Sequence, residues 1–177
     1  MTVLEIINQA VVHKEMSIDH IYGRTHLNEA LHILAMLYDS AKVRDTETVI
    51  CSNTSTYYPL SADCIKVLRV DDSDGEEYNK LFYSLDNSYI KFQDTDTYLV
   101  TYLRKAVAVT LDTETPEINN LYHRTISKYI AHKELRTIKL KDAADYKAEF
   151  FQEAGTIDLV LKNAKKRGTG TPVRQFR

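Results

Sequence analysis

The sequence predicts an α+β protein: a helical bundle of about four helices with an inserted small antiparallel β-sheet or sandwich, and an extended C-terminal arm. Apolar residues recur at three- and four-residue intervals near both ends of the chain, which is typical of amphipathic helices. Over 46–110 the period falls to about two, and turn-rich segments separate the apolar runs. Residues 164–177 contain two glycines, a proline and no apolar period, so we expect an extended segment there.

Two helices are predicted before the β region. In the first, at 2–12, Thr2 and Glu5 stand three residues apart, as in a capping box. The second covers 26–42, after a polar link, and its apolar positions follow one helical face. These positions are Leu27, Ala30, Leu31, Leu34, Leu37, Tyr38 and Ala41.

Two more helices are predicted after the β region, at 116–138 and 142–165, with Pro116 and Asp142 at their starts. The expected buried stripe of the third helix is Ile118, Leu121, Tyr122, Ile126, Tyr129 and Ile130. In the fourth helix the stripe is nearly a heptad, which favours packing against another helix of the same chain. Its members are Ala143, Tyr146, Phe150, Ala154, Ile157 and Leu161.

Five short β-branched or aromatic runs make up the predicted β region. They are Thr46–Cys51, Ile65–Val70, Lys80–Leu85, Tyr89–Phe92 and Thr97–Arg104. In the last run Tyr98, Val100 and Tyr102 share one face, which predicts packing in a core rather than stacking on bases. The following apolar run, 106–111, is expected to extend this strand or to form a bulge.

A chain of 177 residues is expected to hold one domain, here 1–163. No run approaches the roughly 20 apolar residues that a membrane helix needs. Residues 1–5 place no basic segment before an apolar core, so no signal peptide is expected. Cys51 and Cys64 are expected to be buried thiols in a reducing compartment.

Charge is divided unevenly along the chain. Residues 1–158 hold all 25 acidic residues and 17 of the 23 basic ones, a net charge of −8. Residues 159–177 carry six basic residues and no acidic one. An acidic body with a basic end suggests that this end has an anionic partner, either nucleic acid or an acidic protein surface; a solvated, frayed terminus is the alternative.

No motif for catalysis, a cofactor or a structural metal is present, so the protein is expected not to be an enzyme. The six histidines have no metal-ligand spacing and are expected at surface or boundary positions. Segment 71–77, DDSDGEE, offers carboxylates for weak calcium binding. An EF-hand loop needs a bidentate glutamate at the position that Leu81 occupies, so the segment does not match that motif. A hairpin turn with Gly75 at positive φ is the preferred interpretation.

Four segments carry a resemblance to a known family. They are Tyr57-Tyr58-Pro59-Leu60 at the start of the β region, Thr101-Tyr102-Leu103-Arg104 at its end, the acidic helix entry Asp112–Ile118 with Tyr122-His123, and the Ala-x-x-Tyr-x-x-x-Phe helix Ala143–Phe150. With the order of elements, they resemble the head–tail connector adaptors of tailed bacteriophages, such as tail-tubular A, gatekeeper-like and connector ring proteins. The chain departs from that pattern at Asn119-Asn120, where many relatives carry proline.

The resemblance implies a structural virion protein in the neck, assembled in the host cytoplasm. Such adaptors form a ring, commonly of twelve subunits, that joins the portal to the next tail component. DNA passes through the lumen without specific binding, and no membrane is involved. The C-terminal arm would dock on the portal protein, and the expected portal contacts are Arg167, Pro172, Val173, Arg174, Phe176 and Arg177.

Three other functions remain open from the sequence. The protein could be an enzyme of unrecognised type, since catalytic residues that are distant in sequence can meet in the fold. The protein could be a tail-completion or terminator protein, which would also be structural. It could instead be a nucleic-acid-binding module whose basic end neutralises phosphates, in which case affinity would fall steeply with salt.

Overall fold

The protein folds into two compact units, one helical and one β. The structure, a computed structural model, describes residues 1–14, 17–79, 83–86 and 89–168, and for 13–14, 83–86 and 165–168 the backbone alone. The helical unit comprises the chain up to Ala41 and again from Ala106, and the β unit is Lys42–Lys105. The predicted α+β class, with four helices and small antiparallel sheets, is confirmed.

The helical unit begins with α1, Val3–Lys14, and α2, His20–Leu37. The predicted capping box is present: the Thr2 amide donates to Glu5 Oε2 (2.8 Å), and the Glu5 amide donates to Thr2 Oγ1 (3.3 Å). α2 starts six residues earlier than predicted, because Asp19 caps it by accepting from the Ile21 amide (2.7 Å).

The predicted end of α2 at residue 42 is also wrong. Tyr38 has an extended backbone, and a 3₁₀ turn, Asp39–Ala41, follows it. The predicted stripe is buried at Leu27, Ala30, Leu31, Leu34 and Ala41, whereas Leu37 is exposed.

After the β unit come α3, Leu121–Leu135, and α4, Leu140–Gly168, which pack against each other. α3 does not begin at Pro116. The Asn119 side chain accepts a hydrogen bond from the Leu121 amide (3.0 Å), and the backbone carbonyl of Asn119 accepts one from the Tyr122 amide (2.9 Å). The helix begins at this turn.

The predicted N-cap of α4, Asp142, lies inside the helix, since the Lys139 carbonyl accepts from the Ala143 amide (3.0 Å). α4 ends at Gly168, three residues after the predicted end at 165, so residues 164–168 of the predicted arm are helical.

One apolar core serves the helical unit. Its members include most of the predicted stripes of α2, α3 and α4, along with the buried face of α1. The predictions for Tyr122, Ile126, Tyr129 and Ile130 are confirmed, while Leu121 is exposed. The α4 stripe faces this core through Phe150 and Ala154, which confirms its intramolecular role.

The β unit contains two three-stranded antiparallel sheets, ordered β1-β6-β3 and β2-β5-β4. The strands are β1 Val43–Ile50, β2 Tyr58–Pro59, β3 Cys64–Asp71, β4 Tyr83–Asp86, β5 Tyr89–Phe92 and β6 Thr97–Arg104. β6 is the central strand of its sheet, and Tyr98, Val100 and Tyr102 are buried, as predicted. The Tyr98 ring stacks on Phe92 with centroids 3.9 Å apart.

Two predictions in and beside the β unit have clear outcomes. Gly75 has φ of +81°, and Asp72 Oδ1 accepts from the Asp74 and Glu76 amides, so 71–77 holds the expected turn. The run 106–111 neither extends β6 nor forms a bulge in it, because it belongs to the helical unit, where Val109 is buried. Cys51 and Cys64 are free, the first buried and the second half-buried.

Two helical glycines offer a matched test of the α1–α2 packing. A Cβ at Gly23 would lie 2.9 Å from Ile7 Cδ1, whereas a Cβ at Gly155 in α4 would meet only Tyr38 Oη, at 3.8 Å. We expect Gly155→Ala to raise the free energy of unfolding by about 0.5–1 kcal/mol through helix propensity. Gly23→Ala should lower it by about 1 kcal/mol or more through overpacking, and urea unfolding monitored by circular dichroism measures both changes. Equal stabilisation by the two variants would contradict a close α1–α2 contact.

Candidate functional site

The site residues predicted from the sequence lie at the end of α4 and beyond it. Arg167 falls in the last turn of α4, where the structure gives the backbone alone. The other five predicted portal contacts, Pro172, Val173, Arg174, Phe176 and Arg177, lie outside the described residues. The structure therefore shows how α4, the helix that precedes this segment, is attached to the rest of the helical unit.

α4 is held to the rest of the helical unit at three levels along its length. Near its start, the Ala143 carbonyl lies 2.7 Å from Nδ1 of His132 in α3, which fits donation from a protonated Nδ1. In the middle, Phe150 is fully buried and packs against Tyr129. Further along, Asp158 is buried within hydrogen-bonding distance of the 3₁₀ turn.

A buried lysine ties the middle of α4 to α3. Lys128 Nζ donates to Glu149 Oε2 (2.6 Å) and to Glu153, and Thr125 Oγ1 donates to the same Glu153 (3.0 Å). Burial disfavours the lysine's charge, but the hydrogen bonds to the two glutamates outweigh it and raise the pKa of Lys128. These residues line a groove of about 650 Å³ between the two helices, and its lysine and glutamates already satisfy one another.

A chain of hydrogen bonds holds the 3₁₀ turn to α3 and α4. The Ser40 hydroxyl donates to Asp158 Oδ1 (2.6 Å), so the Tyr122 hydroxyl, 2.6 Å away, is the donor to Ser40. Burial acts against ionisation of Asp158, but hydrogen bonds from Lys162 and Ser40 outweigh it and lower the pKa of this carboxyl. The arrangement fixes the point at which the chain leaves the helical unit for the β unit.

Among the side chains of α4 that the structure describes, Leu161 is the last that packs on the core. Lys162, Asn163 and Ala164, which follow it, are exposed. The helix then continues to Gly168, about 10 Å past Leu161 at 1.5 Å per residue. Arg167 lies within these last turns of α4, and the other predicted portal contacts follow the end of the helix in sequence.

The segment 106–118 returns the chain from the β unit and is anchored to α1 and α2. Asn28 in α2 makes two hydrogen bonds to the backbone of Val109, one donated (3.0 Å) and one accepted (2.9 Å). Asp112 accepts from Arg24 (2.6 Å) and contacts His20 (2.7 Å). These contacts lower the pKa of Asp112.

Histidines were expected at surface or boundary positions, and this expectation fails for one of those whose side chains the structure describes. His123 in α3 is fully buried, with Nδ1 3.1 Å from the amino group of Met1. Burial and the neighbouring positive charge lower the pKa of His123. His132 is half-buried, as expected, and burial lowers its pKa as well. The predicted stripe residues Tyr122 and Ile126 indicated which side of α3 is internal. They did not indicate that His123 would be buried with them.

Neither a metal site nor a membrane span is found in the described part of the chain. Within 1–14, 17–79, 83–86 and 89–168, no three His, Cys, Asp or Glu side chains are grouped so as to hold a metal ion. Over the same residues no helix is both long and apolar enough to cross a bilayer.

Comparison of the sequence with models of known protein families gave no match, and no curated protein is significantly similar to it.

The lowered pKa of His132 predicts acid sensitivity. A histidine whose pKa is lower in the folded state stabilises the fold fully above its unfolded pKa of about 6.5, and this contribution is lost as pH falls below that value. His132→Asn keeps a donor for the Ala143 carbonyl but does not titrate. We expect the loss of unfolding free energy between about pH 6.5 and 5 to be smaller in this variant, as measured by urea titrations across pH. The wild-type protein is titrated in parallel, and an equal loss in both proteins would contradict the prediction.

Proposed function

We propose that this protein is a head–tail connector adaptor of a tailed bacteriophage. It forms a ring, expected to be a dodecamer, that joins the portal protein to the next tail component in the neck of the virion. The observation that carries the proposal is the architecture: a helical unit interrupted by a small β unit and completed by two packed helices, the last leading into a basic segment. This order, with the four segments noted in the sequence, supports the resemblance to connector adaptors.

Docking to the portal is assigned to the C-terminal segment. α4 is fixed to the core by Phe150, Asp158 and Leu161 and then extends past it, so the attached residues start from a defined position. A segment that orders on binding loses conformational entropy but can cover a large surface. In a ring, many such segments bind together, and their combined affinity exceeds that of any one. The assigned contacts are Arg167, Pro172, Val173, Arg174, Phe176 and Arg177.

The assigned contacts divide by chemistry. Phe176 supplies an apolar anchor, of the kind that dominates many interfaces when it is buried in a pocket. Pro172 restricts the backbone to extended conformations. The arginines make charge-assisted hydrogen bonds to acidic groups of the portal.

The charge of the body supports a conduit for DNA. Residues 1–158 carry −8, and exposed carboxylates of the 71–77 turn, Asp74, Glu76 and Glu77, belong to it. A negative lumen repels the phosphate backbone and lets DNA pass without being held. No catalytic step and no cofactor is part of this role.

Removing the arm tests the proposal most directly. Deletion of 169–177 leaves α4 whole, since the helix ends at Gly168. We expect the shortened protein to unfold at the temperature of the full-length protein and to lose docking on portal rings from the same genome. Co-sedimentation with those rings, followed by negative-stain imaging, measures docking.

The outcomes of this experiment separate the functions. A full-length protein that adds a ring below the portal, with the deletion failing to do so, supports the adaptor. Normal docking by the deletion contradicts the assigned contacts. If neither protein docks, the binding constant of the full-length protein for duplex DNA is measured at several salt concentrations. A plot of the logarithm of this constant against the logarithm of the salt concentration with a slope near −0.9 per phosphate contact would favour a nucleic-acid-binding module. Absence of both interactions would favour a tail-completion protein.

A single substitution tests the apolar anchor. Phe176→Ala should weaken docking by about 2 kcal/mol, roughly a 30-fold loss of affinity, because a buried aromatic anchor dominates such contacts. Lys165→Ala, which removes one basic side chain from α4, should cost under about 1 kcal/mol. Surface plasmon resonance on immobilised portal rings measures both. Equal losses would mean that the segment binds through charge alone.

A further inference from the structure

The exposed face of α2 is unusually poor in charge. Four of its apolar side chains are exposed: Ile21 (65%), Tyr22 (63%), Met36 (63%) and Leu37 (56%). Between them lie Thr25, Glu29, His32 and Ile33, of which Thr25 and His32 are exposed. We call these eight residues the α2 face.

The charge content of α2 differs sharply from that of α4. Of 29 residues in α4, eleven are acidic or basic, as expected for a solvated surface. Of 18 residues in α2, two are charged, Arg24 and Glu29. Arg24 is paired with Asp112 (2.6 Å) and Glu29 with Lys133 of α3 (2.8 Å). An apolar face on which the charges are already neutralised within the chain is typical of the centre of a protein interface.

The α2 face is arranged symmetrically about Glu29. Tyr22 precedes Glu29 by seven residues and Met36 follows it by seven, nearly two turns in each direction. Both side chains lie within about 20° of Glu29 around the helix axis, at 100° per residue. Ile21 and Leu37 stand one residue further out on either side, and Thr25 and Ile33 four residues away.

We propose that the α2 face binds a second copy of this chain, with the two α2 helices antiparallel about a two-fold axis near Glu29. In such an isologous contact, residue i meets residue j and j meets i. Tyr22 of each copy then packs against Met36 of the other, an aromatic–thioether contact made twice. Glu29 of each copy lies near the axis with its charge neutralised by its own Lys133.

Area and shape are consistent with a pair. The exposed apolar side chains of the α2 face, with Thr25 and His32, present roughly 600 Å² per copy, which reaches the lower end of specific interfaces when doubled. Ile33 and other members of the α2 face line a groove of about 600 Å³ together with Asn28 and Tyr129, and this groove gives room for the partner's side chains.

Charge favours a second copy over a different partner. Residues 1–158 carry −8, so most contacts between copies would bring like charges together. The α2 face avoids this repulsion because its two ends are apolar and its centre is neutralised. A partner recognised by charge complementarity would find no free charge on it.

This inference does not depend on the proposed ring. A two-fold contact closes on itself and does not propagate around a cyclic ring. The pair is therefore assigned to the free protein, and it can form whether or not the C-terminal segment docks on a portal.

Sedimentation equilibrium on the full-length chain, between about 1 and 100 µM, tests the pair. We expect a mass twice the 20.4 kDa of the chain. Met36→Asp should raise the dissociation constant by about 100-fold or more, because it buries a charge at two symmetric positions. The matched control is Leu159→Asp in α4, where the side chain is 62% exposed, and it should change the constant by less than about 3-fold. Circular dichroism checks that both variants stay folded.

Disulfide trapping tests the antiparallel register. The variant with both Tyr22→Cys and Met36→Cys should form a covalent dimer on oxidation, since Cα atoms must lie within about 7 Å. Tyr22→Cys alone should not, because the two copies of position 22 lie about 21 Å apart in this register. The wild-type chain, with Cys51 and Cys64, gives the background.

Three outcomes would overturn the proposal: a monomeric wild type at every concentration, dissociation by Leu159→Asp equal to that by Met36→Asp, or equal trapping by the single and double cysteine variants.

Discussion

The structure depends on closing a helical unit whose sequence is interrupted by the β unit. The chain leaves the helices after Ala41 and returns at Ala106, so both points must be fixed within the helical unit. Ser40 fixes the exit through hydrogen bonds with Tyr122 and Asp158. Asn28 fixes the return through two hydrogen bonds to Val109. Together with the apolar core, these contacts offset the entropy that is lost when helices on either side of a 64-residue insertion are brought together.

The same contacts position two elements for which functions are proposed. Asp158 holds α4 one turn before Lys162, ahead of the last turns of the helix, which lead to the basic segment. The return segment occupies one side of α2 through Asn28 and Arg24. Lys133 neutralises Glu29 from α3. What remains exposed on α2 is an apolar face with no free charge, which is the basis for the proposed pair. The connector role and the pair are thus proposals about different elements of one unit.

Predictions drawn from the periodic parts of the sequence were correct for most positions. The stripes of α3 and α4, the inward face of β6 and the turn at Gly75 are present because local spacing determines which side chains share a face. The predicted boundaries were less accurate. The polar link predicted before residue 26 includes the start of α2, where Gly23 lets α1 approach closely at Ile7. Pro116 suggested a helix start, but a buried residue, Ile118, precedes the Asn119 turn that opens α3.

The sequence by itself determined the α+β class, the insertion, the helical stripes and the charge difference between body and C-terminus, since each depends on local pattern or composition. Only the tertiary structure decided that 106–111 belongs with the helices, that His123 is buried and that the α2 face has no free charge. Those features depend on side chains that are far apart in sequence, such as Glu29 and Lys133 or Asn28 and Val109. A one-dimensional pattern shows which residues are charged or apolar, but their neutralisation and burial are set by partners that only folding brings into contact.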